Sequence, residues 1–490
     1  MRTQRRTALA AVAGAAVAAT ALATAVVAPA ASAAPSGEAQ SYLVLAPQGQ
    51  STDRAAEEVR AEGGQVVADY HQIGVLVARS TDPAFASNVD GAGVESVASQ
   101  EGLGSRLDDE ATTVVGASAR VMATGDPTTE PDWSKQWDMA QIDLPAAHAV
   151  TTGSPDVVVG VLDSGISSSH PDLASQIAKD SSASCLGGVV DTSEAAWNPT
   201  TSDHGTHVAG TIAAALNGVG MAGVAPGAKV ASVKVVNDDG FIYPAAAVCG
   251  FMWAATHGMQ VTNNSYFIDP WEFNCRNDAR QRPVWQAVQR AIRYSQSQGV
   301  LNVASAGNSN VDLQHKFVDD GSPNDGSSPV ETRTINGACV DLPAEAPGVV
   351  TVSAVGPTEK KSYYSSYGLG VVDVTAPGGD TRFRTGGAAS TITDGVYSTT
   401  WSAAGGNSWG YKQGTSMAGP HAAGVAALAL SAHPGLQPGA LASVLERTAE
   451  PLECPEGVYE PRPGFPATCT GGERNSFYGS GNVNAANAVS

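Results

Sequence analysis

The sequence predicts an α/β protein: a doubly wound, mostly parallel sheet with helices on both faces, preceded by a small ferredoxin-like α+β unit. Three observations carry this prediction. From about residue 157 onward, apolar runs of strand length alternate with segments of helical length and period, the pattern of a parallel sheet with crossover helices. Val157-Val158-Val159-Gly160-Val161-Leu162 is unbroken in its apolar character, as expected of a strand covered on both faces. The chain before it reads β-α-β-β-α-β, the order of a split βαβ unit.

Taken in order, Tyr42 to Leu45 predicts a strand and Thr52 to Glu62 a helix. Gln65 to Ala68 and Gly74 to Ala78 predict two further strands, Asp82 to Val89 a second helix and Val94 to Ala98 a last strand. In the larger part, Val157 to Leu162, Lys229 to Val236, Gln260 to Asn264, Val300 to Ala304, Gly348 to Val355 and Val371 to Thr375 predict strands. Between them, Thr206 to Leu216, Ala245 to Thr256 and Val284 to Gln298 predict helices. Active residues of such a sheet belong at the carboxyl ends of its strands. The uncharged run Ala422 to Leu430 is Ala- and Leu-rich and too long for a core strand, so it predicts a buried helix. Pro420 confines the start of that helix to the neighbourhood of Ser416.

The chain has 490 residues and a formal net charge of -20. Nucleic acid and anionic membrane call for basic patches, so neither is expected as a partner. Arg2, Arg5 and Arg6 precede an Ala/Val/Leu run from Ala8 to Ala28, and Ala31-Ser32-Ala33 is a small-x-small cleavage motif. This pattern predicts a secretory signal peptide over residues 1–33 and an extracellular protein, in preference to a transmembrane anchor. Six cysteines in an exported chain predict disulfides, with Cys454 and Cys469 the best single pair along a Pro/Gly-rich loop. The C-x-x-C spacing of zinc sites is missing.

Three stretches carry the chemistry. Gly160-Val161-Leu162-Asp163-Ser164-Gly165-Ile166 is an apolar strand ending in an aspartate. Asp203-His204-Gly205-Thr206-His207-Val208-Ala209-Gly210-Thr211 opens a helix. Gly414-Thr415-Ser416-Met417-Ala418-Gly419-Pro420 leads into the buried helix, where Ser416 meets unpaired backbone N–H groups and the positive end of the helix dipole. Alone, the last stretch reads equally as a Ser/Thr cap. Together, they supply a serine that needs a base and a base that needs a third group to orient it, in the order Asp, His, Ser.

These stretches resemble, nearly residue for residue, the three active-site blocks of the subtilisin-like serine peptidases, the subtilase family, from about Trp133 to the C-terminus. The resemblance implies a triad of Asp163, His207 and Ser416, with Ser416 as nucleophile and His207 as base. It makes His204 a non-catalytic neighbour in the same motif. His421 is expected to pack near the helix start and Asp203 to serve its loop. Ala304-Ser305-Ala306-Gly307-Asn308 resembles the block whose asparagine donates its amide to the oxyanion. Substrate is expected to lie as an extended strand between Ser305-Ala306-Gly307 and the segment after Asn264, namely Ser265, Tyr266 and Phe267. Many relatives have a glycine where Phe267 stands, so Phe267 either reshapes the cleft or the two aromatics pack beneath the loop. No cofactor is expected for catalysis. Asp172 and Asn217 resemble side-chain ligands of a structural calcium site.

The resemblance also gives the domain plan: residues 1–33 signal peptide, 34–101 an inhibitor-like propeptide, 102–131 a linker containing the maturation site, and 132–490 the peptidase domain, with no accessory domain following. The expected product is a monomeric, secreted serine endopeptidase that acts on protein and peptide substrates and removes its own propeptide, which acts as an intramolecular inhibitor. The rival expectations are a narrow-specificity processing peptidase and a non-catalytic binding protein on the same fold.

Overall fold

In the computed structural model, residues 39–100, 105–106, 113–114, 125–268, 271–322, 329–382 and 391–490 are described. The expected signal peptide at 1–33 lies outside them, as does most of the expected linker.

Seven parallel strands form the central sheet, in the order Val374–Pro377, Val350–Val355, Leu301–Ser305, Val261–Asn264, Val158–Asp163, Lys229–Lys234, Ala183–Ser184. Chain order reverses about Val158–Asp163, whose neighbours are Lys229–Lys234 on one side and Val261–Asn264 on the other. The carboxyl end of that strand is therefore the topological switch point, where a crevice opens in sheets of this kind. Asp163 is the residue at that end.

Helices cover both faces. His204–Ala213 and Thr415–Ala432 bury Val208, Ile212, Met417 and Val425 against Val159, Val161, Val230 and Val261 in one cluster. Pro244–Thr256 and Arg282–Ser297 bury Phe251, Val288 and Ile292 against Leu162, Val233 and Ala304 in another. Successive side chains of a strand point to opposite faces, and here Val161 joins the first cluster while Leu162 joins the second. This two-sided burial is why the strand is apolar without alternation.

The N-terminal unit is a four-stranded antiparallel sheet, with Gln65–Tyr70 next to Val75–Ser80, then Gln40–Leu45, then Ser96–Ser99. Tyr42 and Val44 face its own helix, Asp53–Ala61. Leu43 and Leu45 face the second cluster above, so the other side of this sheet lies on the helices Pro244–Thr256 and Arg282–Ser297. Arg290 fixes the contact: its guanidinium lies 2.6 Å from Glu95 and donates to the Ala46 carbonyl at 2.9 Å. Gln100 Oε1 accepts from the Ala245 N–H at 2.8 Å and so satisfies an orphan donor at a helix N-terminus. The segment expected as a helix over Asp82 to Val89 is a single turn, Phe85–Asn88, which buries Phe85.

Disulfides join Cys185 to Cys249, Cys275 to Cys339, and Cys454 to Cys469, the last as expected. Cys275–Cys339 spans a short antiparallel pair in which Asn274–Cys275 lies against Cys339–Val340. No described helix is long and apolar enough to cross a membrane.

Candidate active site

Asp163 is fully buried and accepts the Ser164 N–H at 2.7 Å. Its two carboxylate oxygens lie 2.8 and 2.9 Å from a histidine Nδ1, and that histidine is His204. This corrects the expected pairing with His207. The helix begins at His204, two residues before the expected Thr206, so its first residue stands over the carboxyl edge of the sheet. His207 lies three residues further on, one turn deeper. It is buried, with Nε2 3.2 Å from the Val396 carbonyl. Burial first, then the Lys412 and His204 charges, hold its pKa well below the usual imidazole range. Gly205 permits the close fit: a Cβ there would lie 2.6 Å from the Gly165 carbonyl and 3.1 Å from Asp163 Oδ1.

Ser416 is the second residue of the helix Thr415–Ala432 and is 7% exposed. Pro420 lies inside this helix, which starts beside Ser416, as expected. It has no N–H for the carbonyl four residues back, which is that of Ser416. Ser265 Oγ donates to that carbonyl instead, at 3.0 Å. Ser416 Oγ in turn donates to the Ser265 carbonyl at 3.3 Å. The helix break therefore ties the serine to one expected wall of the substrate cleft. Asn308 Oδ1 accepts from the Thr415 N–H and from Thr415 Oγ1, both at 2.9 Å. With its oxygen held there, the amide NH₂ is the end left to donate elsewhere.

Ser416, Asn308 and Ser265 share one cleft. Its lining includes Ser416, Asn308, Ser265, Tyr266, Phe267, Ser305 and Gly307, all expected from sequence, but Ala306 is buried behind it. The two aromatics part ways. Tyr266 is buried, with its hydroxyl donating to Asn264 Oδ1 at 3.0 Å, and only Phe267 is half-exposed. Sequence reasoning missed Ile242, Glu272, Ser309 and Asp341, which complete the lining. Glu272 and Asp341 come from loops whose meeting depends on the Cys275–Cys339 bridge, and connectivity of that kind has no local sequence signal.

His421 is buried, as expected, with Nδ1 2.8 Å from the Met417 carbonyl and Nε2 3.0 Å from Asp138. Asp203 pairs with Lys412 at 3.0 Å.

Asp172 and Asn217, the expected calcium ligands, are brought together as a hydrogen-bonded pair. Asn217 presents its nitrogen to Asp172 Oδ1 at 3.4 Å and uses its oxygen to accept from the Val219 N–H at 2.9 Å. Trp409 Nε1 and the Met221 N–H donate to Asp172 Oδ2 at 2.8 and 3.2 Å. A calcium ion takes oxygen ligands, and here N–H donors surround the carboxylate. Burial raises the Asp172 pKa to about 7. Among the described residues no group of three or more His, Cys, Asp or Glu could hold a metal.

A parallel sheet with an Asp–His pair at its switch point and a serine at a facing helix start is the architecture of a serine hydrolase of the subtilisin-like fold. Residues 154–481 match the subtilase family, Peptidase_S8, and the chain belongs to it. Subtilisin NAT of Bacillus subtilis subsp. natto is 33% identical over 318 residues, covering 64% of this chain and 66% of the relative. Fervidolysin of Fervidobacterium pennivorans is 29% identical over 322 residues, 64% of this chain and 40% of the relative. The chain thus spans about two thirds of one and less than half of the other. The crystal structure of the epidermin leader peptide processing serine protease (EpiP) of Staphylococcus aureus shares the fold. Its TM-score is 0.64 at 20% identity, over 92% of this chain and 98% of that one.

Proposed function

We propose that the protein is a serine endopeptidase whose catalytic groups are Asp163, His204 and Ser416. The observation that carries this reading is the His204–Asp163 contact, with both carboxylate oxygens within hydrogen-bond reach of Nδ1. That contact holds Nδ1 protonated and leaves Nε2 as the base for a serine. Ser416 Oγ attacks the substrate carbonyl carbon as its proton passes to His204. The amide NH₂ of Asn308 and the N–H of Ser416 donate to the oxyanion. The C–N bond breaks as His204 returns the proton to the leaving amine. Water, deprotonated by the same imidazole, then releases the acyl group and restores Ser416.

The N-terminal unit is the inhibitor-like propeptide in this reading. Supporting it, Ser105–Arg106 pairs antiparallel with Phe241–Ile242, and Ile242 lines the cleft. Three disulfides and the leader-like N-terminus support secretion. A narrow processing role is the second reading, favoured by the two carboxylates in the cleft wall.

Intact mass of the secreted protein, wild type beside Ser416→Ala, tests the proposal. The expected result is removal of about the first 100 residues from the wild type, the size of a small domain with its linker, and their retention in the variant. Retention in both, with no labelling of wild type by a serine-directed fluorophosphonate, refutes it.

A further inference from the structure

We propose that the cleft beside Ser416 selects a cationic side chain, arginine before lysine, on the acyl side of the scissile bond, with Asp341 as the residue that recognises it. The inference rests on the peptidase reading above and specifies its substrate class.

Asp341 lines the cleft together with Ser416 and Asn308, yet is only 3% exposed. Its Oδ1 is buried and has no hydrogen-bond partner among the described residues. A buried carboxylate oxygen in that condition is costly unless something arrives to bond it. Gly307 is the wall between it and the substrate path. A Cβ at position 307 would lie 3.6 Å from Asp341 Oδ2, so the glycine leaves the carboxylate one contact layer behind the strand on which substrate is expected to lie.

The surrounding charges point the same way. Lys316, the cation whose charge acts on Asp341, is committed: it ion-pairs with Glu345 and donates to the Leu313 carbonyl at 2.8 Å. Glu345 also accepts the Asp341 N–H at 2.7 Å. Lys316 and Arg276 face Glu345, while Glu272 faces Asp341 and shares the cleft with it. Burial, then the Glu345 and Glu272 charges, push the Asp341 pKa well above the usual carboxylate range, against the pull of Lys316. The same field that favours a proton on Asp341 favours a guanidinium beside it, and entry of the guanidinium releases that proton to solvent. Arginine's planar fork suits two carboxylates better than a point-charge ammonium.

The two carboxylates reach one cleft by construction. Glu272 precedes Asn274–Cys275 and Asp341 follows Cys339–Val340, and these two segments are paired and disulfide-bonded.

The test is steady-state hydrolysis of peptidyl aminocoumarins that differ only at the residue before the bond: arginine, citrulline, lysine, leucine and phenylalanine. Enzyme concentration is set by titration with a serine-directed reagent. The expected kcat/KM for arginine exceeds that for citrulline, its neutral near-isostere, by at least about 30-fold, and exceeds those for leucine and phenylalanine. Asp341→Asn, checked for folding by circular dichroism, is expected to bring the arginine-to-citrulline ratio near one. Glu272→Gln lowers the same ratio less. A wild type that titrates and cleaves leucine or phenylalanine peptides better than arginine peptides overturns the inference and leaves the peptidase reading standing. So does an unchanged ratio in folded Asp341→Asn. No titration and no cleavage of any peptide overturns the peptidase reading itself, and the inference with it.

Discussion

Replacing each of the two histidines of the His204–His207 motif by alanine should separate catalysis from packing. His204 holds the Asp163 carboxylate at 2.8 and 2.9 Å, so it is the imidazole whose second proton that carboxylate stabilises. In the proposed mechanism, Ser416 without His204 lacks its base. In a subtilisin, loss of the base alone lowers kcat by about 2 × 10⁶, and what survives comes from the oxyanion donors and binding. We expect a loss of the order of 10⁶ for His204→Ala. His207 has a different task. It is buried, with Nε2 against the Val396 carbonyl and its own carbonyl accepting from Ser398 Oγ at 2.7 Å. Truncating a buried ring leaves a cavity, at a cost of about 2–4 kcal/mol, typical of large-to-small core changes. The expected kcat of His207→Ala, measured at low temperature on protein shown to be folded, is within about tenfold of wild type.

The pH dependence sharpens the same experiment. His207 is held well below its usual pKa by burial, so it stays neutral through the physiological range. A group that does not titrate near pH 6.5 cannot produce a rate inflection there. Any acid-limb inflection must therefore survive in His207→Ala. The linkage has a definite sign as well. The unfolded chain binds a proton at residue 207 below about pH 6.5 while the native chain does not, so this residue makes stability fall as pH falls. His207→Ala should lose less stability than wild type between pH 7 and pH 5, read from denaturant midpoints. A folded but inactive His207→Ala beside an active His204→Ala would refute this reasoning.

Four further outcomes are expected. Asn308→Ala should lower kcat by about 10²–10³, the value known for a subtilisin's oxyanion asparagine, with KM little changed; equal kcat would remove Asn308 from the site. Asp172, whose pKa is raised to about 7, favours its protonated form when folded. Its contribution is therefore present in acid and lost as pH rises through 7, up to about 4 kcal/mol at about 1.4 kcal/mol per tenfold change in proton affinity. Asp172→Asn should gain stability over wild type at pH 8 but not at pH 4; loss at pH 8, or a wild-type melting temperature lowered by EDTA, would reveal a calcium ligand. Lys361 is buried, donates to Asn310 Oδ1 at 2.6 Å, and has its pKa lowered to about 7 by burial. Its penalty is present below pH 7 and fades as pH rises toward 10.5, so Lys361→Met should raise the melting temperature more at pH 6 than at pH 9, and equal shifts would contradict this. Arg106 and Arg120 are the basic residues between positions 102 and 131, so a self-made cut by an arginine-selecting cleft should fall after one of them, as intact mass will show.

Local patterning made much of this protein legible. The strand ending in Asp163, the apolar helix after Ser416 and the amide of Asn308 each sit in a contiguous motif whose period or turn chemistry reports its own structure. Resemblance then joined the motifs. Which of His204 and His207 meets Asp163 depends on something less local, the residue at which a helix begins. Helix ends are set by capping and by what lies beyond them, and Asp203 gives no side-chain cap here to mark the boundary. The resemblance names His207, whereas the contact with Asp163 falls to His204 at the first turn of the helix. Topology supplies the missing signal: a helix that follows a strand of a parallel sheet stands with its first turn nearest the carboxyl edge, so the earlier of two candidate histidines is the one that reaches Asp163.

The cleft's acidic wall was hidden for another reason. Glu272 and Asp341 lie on loops separated by a helix and a strand of the sheet, and each alone reads as a solvated surface charge, the common fate of such residues. The fold removes that option. The Cys275–Cys339 bridge brings their loops together, Lys316 is taken by Glu345, and Gly307 offers no side chain to cover what remains. Folding thus leaves a buried carboxylate oxygen without a partner among the described residues, at the place where the proposed reading puts a substrate side chain. An unsatisfied group in a core is a liability, but beside a nucleophile its desolvation is offset each time a substrate of the right charge binds. Such a site discriminates by what the wrong side chain fails to bond, which is a stronger filter than the fit of an apolar pocket.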